Sequence, residues 1–405
     1  MKESGMDMWI VISNENNEDP VLKTLLPSPL LSAARCTVLL FYLNDDGAIE
    51  RLSLGRPGRG LDKIYNSVWL NQAGSDWSKF ASLFPNRDIP QNDGPPETQM
   101  ECLKRIVGER SPKKIGINYS PNTAYGDGIS HSNYLLLLEG LGPELAAKVI
   151  SAEKLCVRWL ETRLPEEIEV MGGIVTSAAS ILEETLSPNV IHPGITTTAD
   201  IEWWAMQRCA DMGLKPWFSF MASIKRNGAG SLSGDAVIKE GDIIHYDMGF
   251  EYLGICVDLQ GNTYVLRRDE TKPPAGIEAL FNQGKRLQDI VMEEITVGKT
   301  GNEILAASLA RAQGEGINAM IYSHPIGFYG HGPGPSIGRV DNQDFLNYHG
   351  ECVINDNTCY ALELNVSSPI PEWGGHLLTL GIETDITVSG GKAEYFYRQN
   401  KLYLV

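Results

Sequence analysis

The stretch Ile243-Ile-His-Tyr-Asp247-Met-Gly-Phe250 places a carboxylate inside a run of residues that otherwise favours a buried β-strand. A second run, Ile255-Cys-Val-Asp258, follows after a short turn and does the same. Together the two runs predict a buried β-hairpin. A carboxylate inside such a strand is costly unless it has a partner, so the hairpin also predicts a polar site.

Two later strand-like segments repeat the pattern, Ala361-Leu-Glu363-Leu-Asn-Val366 and Gly381-Ile-Glu383-Thr-Asp-Ile386. Taken alone, each acid is best interpreted as a residue that is paired with a base or lies at a sheet edge. Taken together, the four acids lack a counter-charge, because none of the four segments contains Lys or Arg. Two divalent cations would neutralise four carboxylates.

A histidine-containing segment adds a nitrogen donor to this set. His324-Pro-Ile-Gly-Phe-Tyr-Gly-His331 has the pattern His-x-x-Gly-x-x-x-His and is followed by a run rich in glycine and proline. A lone histidine would be interpreted as a core residue, but a pair at this spacing around a glycine is rare in a chain with 7 histidines. Oxygen ligands with one imidazole suit Mn, Co or Zn rather than calcium.

The order and spacing of these residues resemble the pita-bread metallopeptidases, which include methionine aminopeptidases, Xaa-Pro aminopeptidases, prolidases and creatinase. The run Asp247-Met-Gly-Phe-Glu-Tyr-Leu-Gly254 is similar to the family's Asp-x-Gly-x-x-x-x-Gly. The resemblance covers about residues 158–405. It implies an α+β fold, in which a pita-bread catalytic domain follows a smaller α/β creatinase-like N-terminal domain. The candidate metal ligands stand in the family's order: Asp247, Asp258, His324, Glu363 and Glu383.

The resemblance also implies how these ligands would share two divalent metal ions. Asp247 would hold one ion, and His324 with Glu363 would hold the other. Asp258 and Glu383 would bridge both. The implied protein is a dinuclear metal-dependent hydrolase of C–N (peptide) bonds, similar to an Xaa-Pro aminopeptidase or dipeptidase, with a metal-bridging hydroxide as nucleophile.

Two of the residues would take part in catalysis directly. By resemblance, Glu363 would carry a proton from the nucleophile to the leaving nitrogen, and His331 would hydrogen-bond the substrate carbonyl. The substrate would be a short peptide or a small amide, and a homodimer is expected. Asp385 shares a strand face with Glu383 and is expected to orient the metal ligands without binding the metal itself.

Three positions depart from the family pattern, and all of them concern the substrate. Where proline-specific members carry histidines, this chain has Gly230 and Met320. Where those members bind the end of the substrate with an arginine, it has Gly381. The substrate handling therefore differs from that of proline-specific peptidases, while all five expected metal ligands are present.

Two other histidines are candidates for substrate binding. His245 shares a strand face with Asp247 and could point toward the metals. His376 precedes the Glu383 strand and could line the pocket for the leaving group. Either histidine could equally satisfy a backbone carbonyl. Lys225 and Arg226 could anchor a substrate carboxylate, although a solvated loop is the better interpretation.

Two further functions stay open. The first is hydrolysis of a small non-peptide amide, which the missing arginine and histidines would permit. The second is a catalytically silent pita-bread protein used for binding. The presence of all five candidate ligands argues against a silent protein, because binding alone gives no reason to keep them.

Composition excludes several classes of function. The 405 residues include 51 acidic and 34 basic side chains, which gives a net charge of −17. A nucleic-acid partner is therefore not expected, because a polyanion requires a basic surface. No apolar run is long enough to predict a membrane span. The seven cysteines form no Cys-x-x-Cys pair, and the first residues lack the features of a signal peptide, so we expect a cytoplasmic protein.

The chain length and a change in the sequence pattern near residue 157 predict two domains. A helix start at Pro165, followed by two glutamates, places the boundary near residue 157 and gives domains 1–157 and 158–405. The first is predicted as a small α/β domain with a mostly parallel sheet. Within it, residues 39–95 are predicted to be largely irregular, with Trp69 and Trp77 as local anchors.

Overall fold

The computed structural model of the chain describes residues 1–55, 60–74 and 94–405. These residues form two compact units, Met1–Trp159 and Leu160–Val405. The boundary predicted after residue 157 lies inside a helix that spans Glu153–Glu161. No helix in the described part of the chain is both long and apolar enough to cross a membrane.

The first unit contains a six-stranded sheet with the order β4-β3-β2-β1-β5-β6. Its strands are β1 (Met8–Asn14), β2 (Cys36–Leu43), β3 (Ile49–Ser53), β4 (Asn66–Ser67), β5 (Ile115–Ile117) and β6 (Val149–Ser151). Strand β5 runs parallel to β1 and β6, but β2 is antiparallel to both β1 and β3. Strands β3 and β4 are also parallel, so β2 is the one described strand of this sheet that runs against the others, and the expectation of a mostly parallel sheet is confirmed. A tight turn between Asn44 and Ala48 joins β2 directly to β3, and such a turn permits only antiparallel pairing.

The described residues of this part of the chain form four helices. They are α1 (Leu22–Leu25), α2 (Gln99–Arg110), α3 (His131–Ala146) and α4 (Glu153–Glu161). Helix α2 begins at a capping box, in which Thr98 and Glu101 bond each other's backbone N–H groups. Apolar residues of α2 and α3 pack with β1 and β2 to form one core.

The segment predicted to be irregular contains more structure than expected, since β3 lies within it. Trp69 is an anchor there, because its indole Nε1 donates to the carbonyl oxygen of Glu97 at 2.9 Å. Trp77 lies outside the described residues.

The second unit begins with helix α5, whose Pro165 stands at the first helical position, as the sequence predicts. Its helices are α5 (Pro165–Thr185), α6 (Thr198–Asp211), α7 (Ala275–Glu294) and α8 (Gly301–Gly314). One-turn 3-10 helices, in the two units together, lie at Leu61–Lys63, Ala124–Gly126 and Pro371–Trp373.

An eleven-stranded sheet organises the second unit, with the central order β12-β14-β15-β11-β10-β8-β9. Its principal strands are β8 (Met221–Arg226), β10 (Ile243–Tyr252), β11 (Ile255–Tyr264), β14 (Thr358–Ile370) and β15 (His376–Ser389). Shorter strands complete it: β7 (Lys215–Pro216), β9 (Gly230–Leu232), β12 (Ala319–Ile321), β13 (His324–Pro325), β16 (Lys392–Tyr395) and β17 (Tyr403–Leu404). The predicted hairpin is confirmed, because β10 pairs with β11 in antiparallel register from end to end.

The helices cover the apolar face of this sheet in two groups. Helices α5 and α6 pack on β8, β10 and β11 and form one core cluster. Helices α7 and α8 pack on β12, β14 and β15 and form a second. Since side chains alternate along a strand, the opposite face of the same strands is left to polar residues.

Candidate metal centre

The predicted acids meet in one row across four neighbouring strands. In the sheet register Asp247 of β10 lies opposite Gln260 of β11, and Gln260 lies opposite Glu383 of β15. Glu383 in turn lies opposite Glu363 of β14. Asp258, two residues before Gln260, projects from the same face of β11. The register therefore gathers carboxylates that are far apart in sequence.

Two groups of side chains in this row have donor atoms close enough to hold a cation. Within each group the donor atoms all lie within 4.8 Å of one another. One group contains Asp258, His324 and Glu383, and the other contains Asp247, Glu363 and Glu383. Glu383 belongs to both groups. The resemblance placed Glu363 with His324, whereas these groups place it with Asp247.

The donor atoms have the properties that cation binding requires. Oxygens of Asp247, Asp258 and Glu383 are buried without a hydrogen-bond partner in the described structure, and so is Nε2 of His324. Buried polar atoms are normally satisfied, so a group of such orphans in one place indicates a missing ligand. Carboxylate oxygens with one imidazole nitrogen suit Mn, Co or Zn. The residues present therefore fit the two divalent ions expected from the sequence.

The raised pKa values of the four acids also indicate a cation site. Burial raises the pKa of Asp247 to about 7, although a hydrogen bond from Gln260 acts in the opposite direction. Burial, with the nearby Asp247 charge adding, raises the pKa of Glu363 to about 8. The pKa values of Asp258 and Glu383 are raised well above normal, first by burial and then by the neighbouring acids. A positive charge among them would favour their ionised forms.

His324 presents the correct nitrogen to this centre. Its Nδ1 lies 3.1 Å from the carbonyl oxygen of Pro325 and must donate to it, because a carbonyl only accepts. Nε2 therefore carries the lone pair, and it lies 4.0 Å from Oε2 of Glu363. Burial lowers the pKa of His324 to about 4, with His331 contributing, so the ring is neutral as a ligand must be.

His331 stands beside His324, with the ring centroids 4.7 Å apart. The indole of Trp217 packs edge-on against His331 at 5.3 Å. Trp217 is itself fixed, because its Nε1 donates to the carbonyl oxygen of Val257 at 3.0 Å. The position expected of a residue that contacts the substrate is thus occupied by an exposed imidazole whose ring is held between His324 and Trp217.

Two polar side chains hold the acids in place. Nε2 of Gln260 donates to Oε1 of Glu363 at 2.6 Å. The backbone N–H of Asp258 donates to Oδ2 of Asp385 at 3.0 Å, so Asp385 supports this site through the backbone of β11. Asp385 is fully buried, as its expected supporting role requires.

His245 lies on the same face of β10 as Asp247 and fills the space above Gly381. A Cβ atom at position 381 would lie 2.9 Å from Cε1 of His245 and 2.8 Å from Oε1 of Gln260. A larger side chain at this position would have to displace His245 and Gln260. The imidazole of His245, two strands away on β10, therefore occupies the space next to Gly381 on β15.

His376 is not among the residues of the candidate metal centre. Its Nδ1 is 2.8 Å from Oδ1 of Asn227, and the ring lines a cavity whose lining contains none of the candidate metal ligands. Its role as part of a leaving-group pocket stays a prediction.

Sequence reasoning missed four polar residues on the same sheet face. They are Gln260, Asn262, Tyr322 and Asn365. For two of them a signal was present, because Asp258, Gln260 and Asn262 alternate with apolar residues along β11. Asn365 is a third such case, because it alternates with Leu364 and Val366 along β14, whereas Tyr322 lies outside the described strands.

Comparisons with solved structures establish the fold. An X-Pro aminopeptidase from Thermotoga maritima is 16% identical, with a TM-score of 0.65 over 99% of this chain and 98% of that one. A dipeptidase from Mycobacterium ulcerans is 15% identical, with a TM-score of 0.62 over 100% and 94%. An Xaa-Pro dipeptidase from Bacillus anthracis is 17% identical, with a TM-score of 0.60 over 100% and 96%. The predicted fold class is confirmed.

No curated protein matches the chain by sequence. A family model does: residues 173–389, more than half of the chain, match the one described as "Metallopeptidase family M24". The matched segment contains the whole row of acids and both site histidines. This chain therefore belongs to metallopeptidase family M24, the family of pita-bread metallopeptidases that its ligand pattern resembles.

Proposed function

We propose that this protein is a dinuclear metal-dependent hydrolase of peptide bonds, of the Xaa-Pro aminopeptidase or dipeptidase type. One observation carries the proposal: two groups of buried ligating atoms, several of them without partners, overlap at Glu383. A single shared carboxylate is what two adjacent cations require as a bridge. The family match and the names of the structural relatives support a peptide as the substrate.

The five proposed ligands are Asp247, Asp258, His324, Glu363 and Glu383. Two Mn, Co or Zn ions held there would act as Lewis acids and lower the pKa of the attacking water. The protein supplies the rest of the chemistry, which consists of holding the substrate and moving a proton.

Glu363 is the proposed proton carrier. Its Oε1 accepts from Gln260, so the carboxyl group has a fixed orientation, while Oε2 faces His324. From this position it can take a proton from the attacking water and give it to the leaving nitrogen. His331, oriented by Trp217, donates to the substrate carbonyl and stabilises the negative charge that develops there.

The experiment is to strip the purified protein of metal, reload it with Mn, Co or Zn, and assay a panel of Xaa-Pro and other short peptides together with small non-peptide amides. We expect peptide hydrolysis that depends on the metal. Hydrolysis of amides alone would favour the non-peptide alternative.

A Glu383→Gln variant tests the bridge directly. Elemental analysis should find bound transition metal in the wild type and little in the variant, with a loss of activity of about 10²- to 10³-fold. Glu394→Gln, an exposed glutamate of β16, is the matched control and should keep both. Absence of metal from the reloaded wild type would refute the proposal.

A homodimer is proposed on the same family grounds. Sedimentation velocity of the purified protein at several concentrations would test it, and a monomer at all of them would contradict it.

A further inference from the structure

A second polar cavity lies on the same sheet as the candidate metal centre. It has a volume of about 420 Å³ and is lined by side chains of β8, β9 and β15 and by the turns next to them. Its lining includes Lys225, Arg226 and His376, and no acid is among the described residues that line it. In a protein with a net charge of −17, a cavity whose charged lining residues are basic is a candidate site for an anion.

Of these bases, Lys225 is the one whose charge is available. Arg226 is occupied, because Nε and Nη2 bond both carboxylate oxygens of Asp242 at 2.8 and 2.7 Å. Nζ of Lys225 donates to Oγ of Ser231 at 3.0 Å and forms no ion pair with any described residue. The half-buried ammonium therefore has donors left for a ligand.

Along the strands, His245 lies between Lys225, which lines the cavity, and Asp247 of the candidate metal centre. Lys225 and His245 project from the same face of neighbouring strands, since Lys225 lies opposite Ile243 and His245 lies two residues farther along β10. Asp247 follows after two more residues on the same face.

This arrangement sets the distance between the two sites. Four residues of β10 separate the Lys225 level from Asp247, which is about 13 Å along an extended strand. An extended peptide covers this distance with roughly three residues and the reach of a lysine side chain. A dipeptide bound at the metals would be too short.

We propose that Lys225, with the hydroxyl of Ser231, binds the C-terminal carboxylate of a peptide that has two or three residues on the leaving side of the cleaved bond. The proposal rests on the proposed function and deepens it, because it selects tripeptides and tetrapeptides over dipeptides. Lys225 thereby takes the role of the arginine that proline-specific members carry where this chain has Gly381.

The test is calorimetric binding of tetra-alanine and of its C-terminal amide to the metal-stripped protein. We expect the free acid to bind about 10- to 100-fold more tightly than the amide, since a hydrogen bond between two charged groups is among the strong ones. The preference should disappear in Lys225→Met and return in part in Lys225→Arg. Lys392→Met, which removes an exposed lysine of β16, should keep it.

Equal affinities of the wild type for acid and amide would overturn the proposal, and so would an acid preference that survives Lys225→Met. No measurable binding of the acid would overturn it too. Acid-selective binding without hydrolysis by the metal-loaded enzyme would leave the pocket standing and refute the proposed function instead, so the two failures are distinguishable.

Discussion

Two aspartates, five residues apart at the same hairpin, have opposite surroundings. Asp242, just before β10, is 1% exposed and receives two hydrogen bonds from Arg226 and one from the backbone of Lys239. Asp247, inside β10, is half-buried and has a buried oxygen with no partner in the described structure. Both acids lie in an apolar context. The difference is that Asp242 is neutralised by the protein, whereas Asp247 belongs to the proposed metal site.

Burial of an acid is therefore not by itself a sign of function. Near Asp242 a guanidinium from β8 completes the charge balance, and the ion pair belongs to the fold. Around Asp247 the neighbours are further acids, and the energetic cost of placing them together is offset only when metal binds. The comparison distinguishes a structural carboxylate, Asp242, from a proposed functional one, Asp247. It can be tested by substitutions at each of the two sites.

The largest expected effect on stability concerns the ion pair between Arg226 and Asp242. Arg226→Met would leave Asp242 buried without its partner, and we expect the free energy of unfolding to fall by about 3 kcal/mol. Urea denaturation would measure it. Arg208→Met is the control, because Arg208 pairs with Glu184 at the surface and should cost at most about 1 kcal/mol. Similar losses in the two variants would remove the basis of the comparison.

The next effect is at the metal centre. Binding of one metal ion to the folded protein alone should raise the free energy of unfolding by about 2.7 kcal/mol at a hundredfold excess over Kd. Thermal melts with increasing Mn, Co or Zn, and after chelation, would measure it. The stabilisation should be lost in Glu383→Gln. A melting temperature that does not respond to any of the three metals would contradict the assignment.

A smaller effect concerns the side chain that orients Glu363. Gln260→Met removes the 2.6 Å hydrogen bond to Oε1, and we expect metal affinity to fall about 10- to 100-fold. Competition with a chelating dye would measure the affinity. Gln313→Met, at an exposed position of α8, should leave it unchanged. An unchanged affinity in Gln260→Met would mean that Gln260 does not position a ligand.

The smallest expected effect is an increase in stability, whereas most substitutions decrease it. In metal-free protein Glu383 is surrounded by Asp258, Glu363 and Asp247, so Glu383→Gln should raise the free energy of unfolding by about 1 kcal/mol. Urea denaturation after exhaustive chelation would measure it. If the substitution destabilised the metal-free protein as well, Glu383 would have a structural role like that of Asp242.

Much of the fold could be predicted from local patterns. The hairpin of β10 and β11, helix α5 with its proline start and the β14 and β15 strands all follow from residues close in sequence. The mostly parallel first sheet was predicted as well, but the reversed direction of β2 was not, because it depends on the β2–β3 turn, which lies in a segment without clear periodicity. The identities of the candidate ligands were predicted from their strand contexts and from family order, but their grouping was not.

By itself, the sequence determined which acids lie in apolar strands and that no base accompanies them there. Local alternation was sufficient for this, because it fixes the face of a strand on which a side chain lies. Only the tertiary structure decided that Glu363 stands opposite Glu383, that His245 fills the space above Gly381, and that Lys225 faces a cavity. These relations join segments more than a hundred residues apart, except the Glu363–Glu383 pairing, and they depend on strand register and packing across the whole sheet.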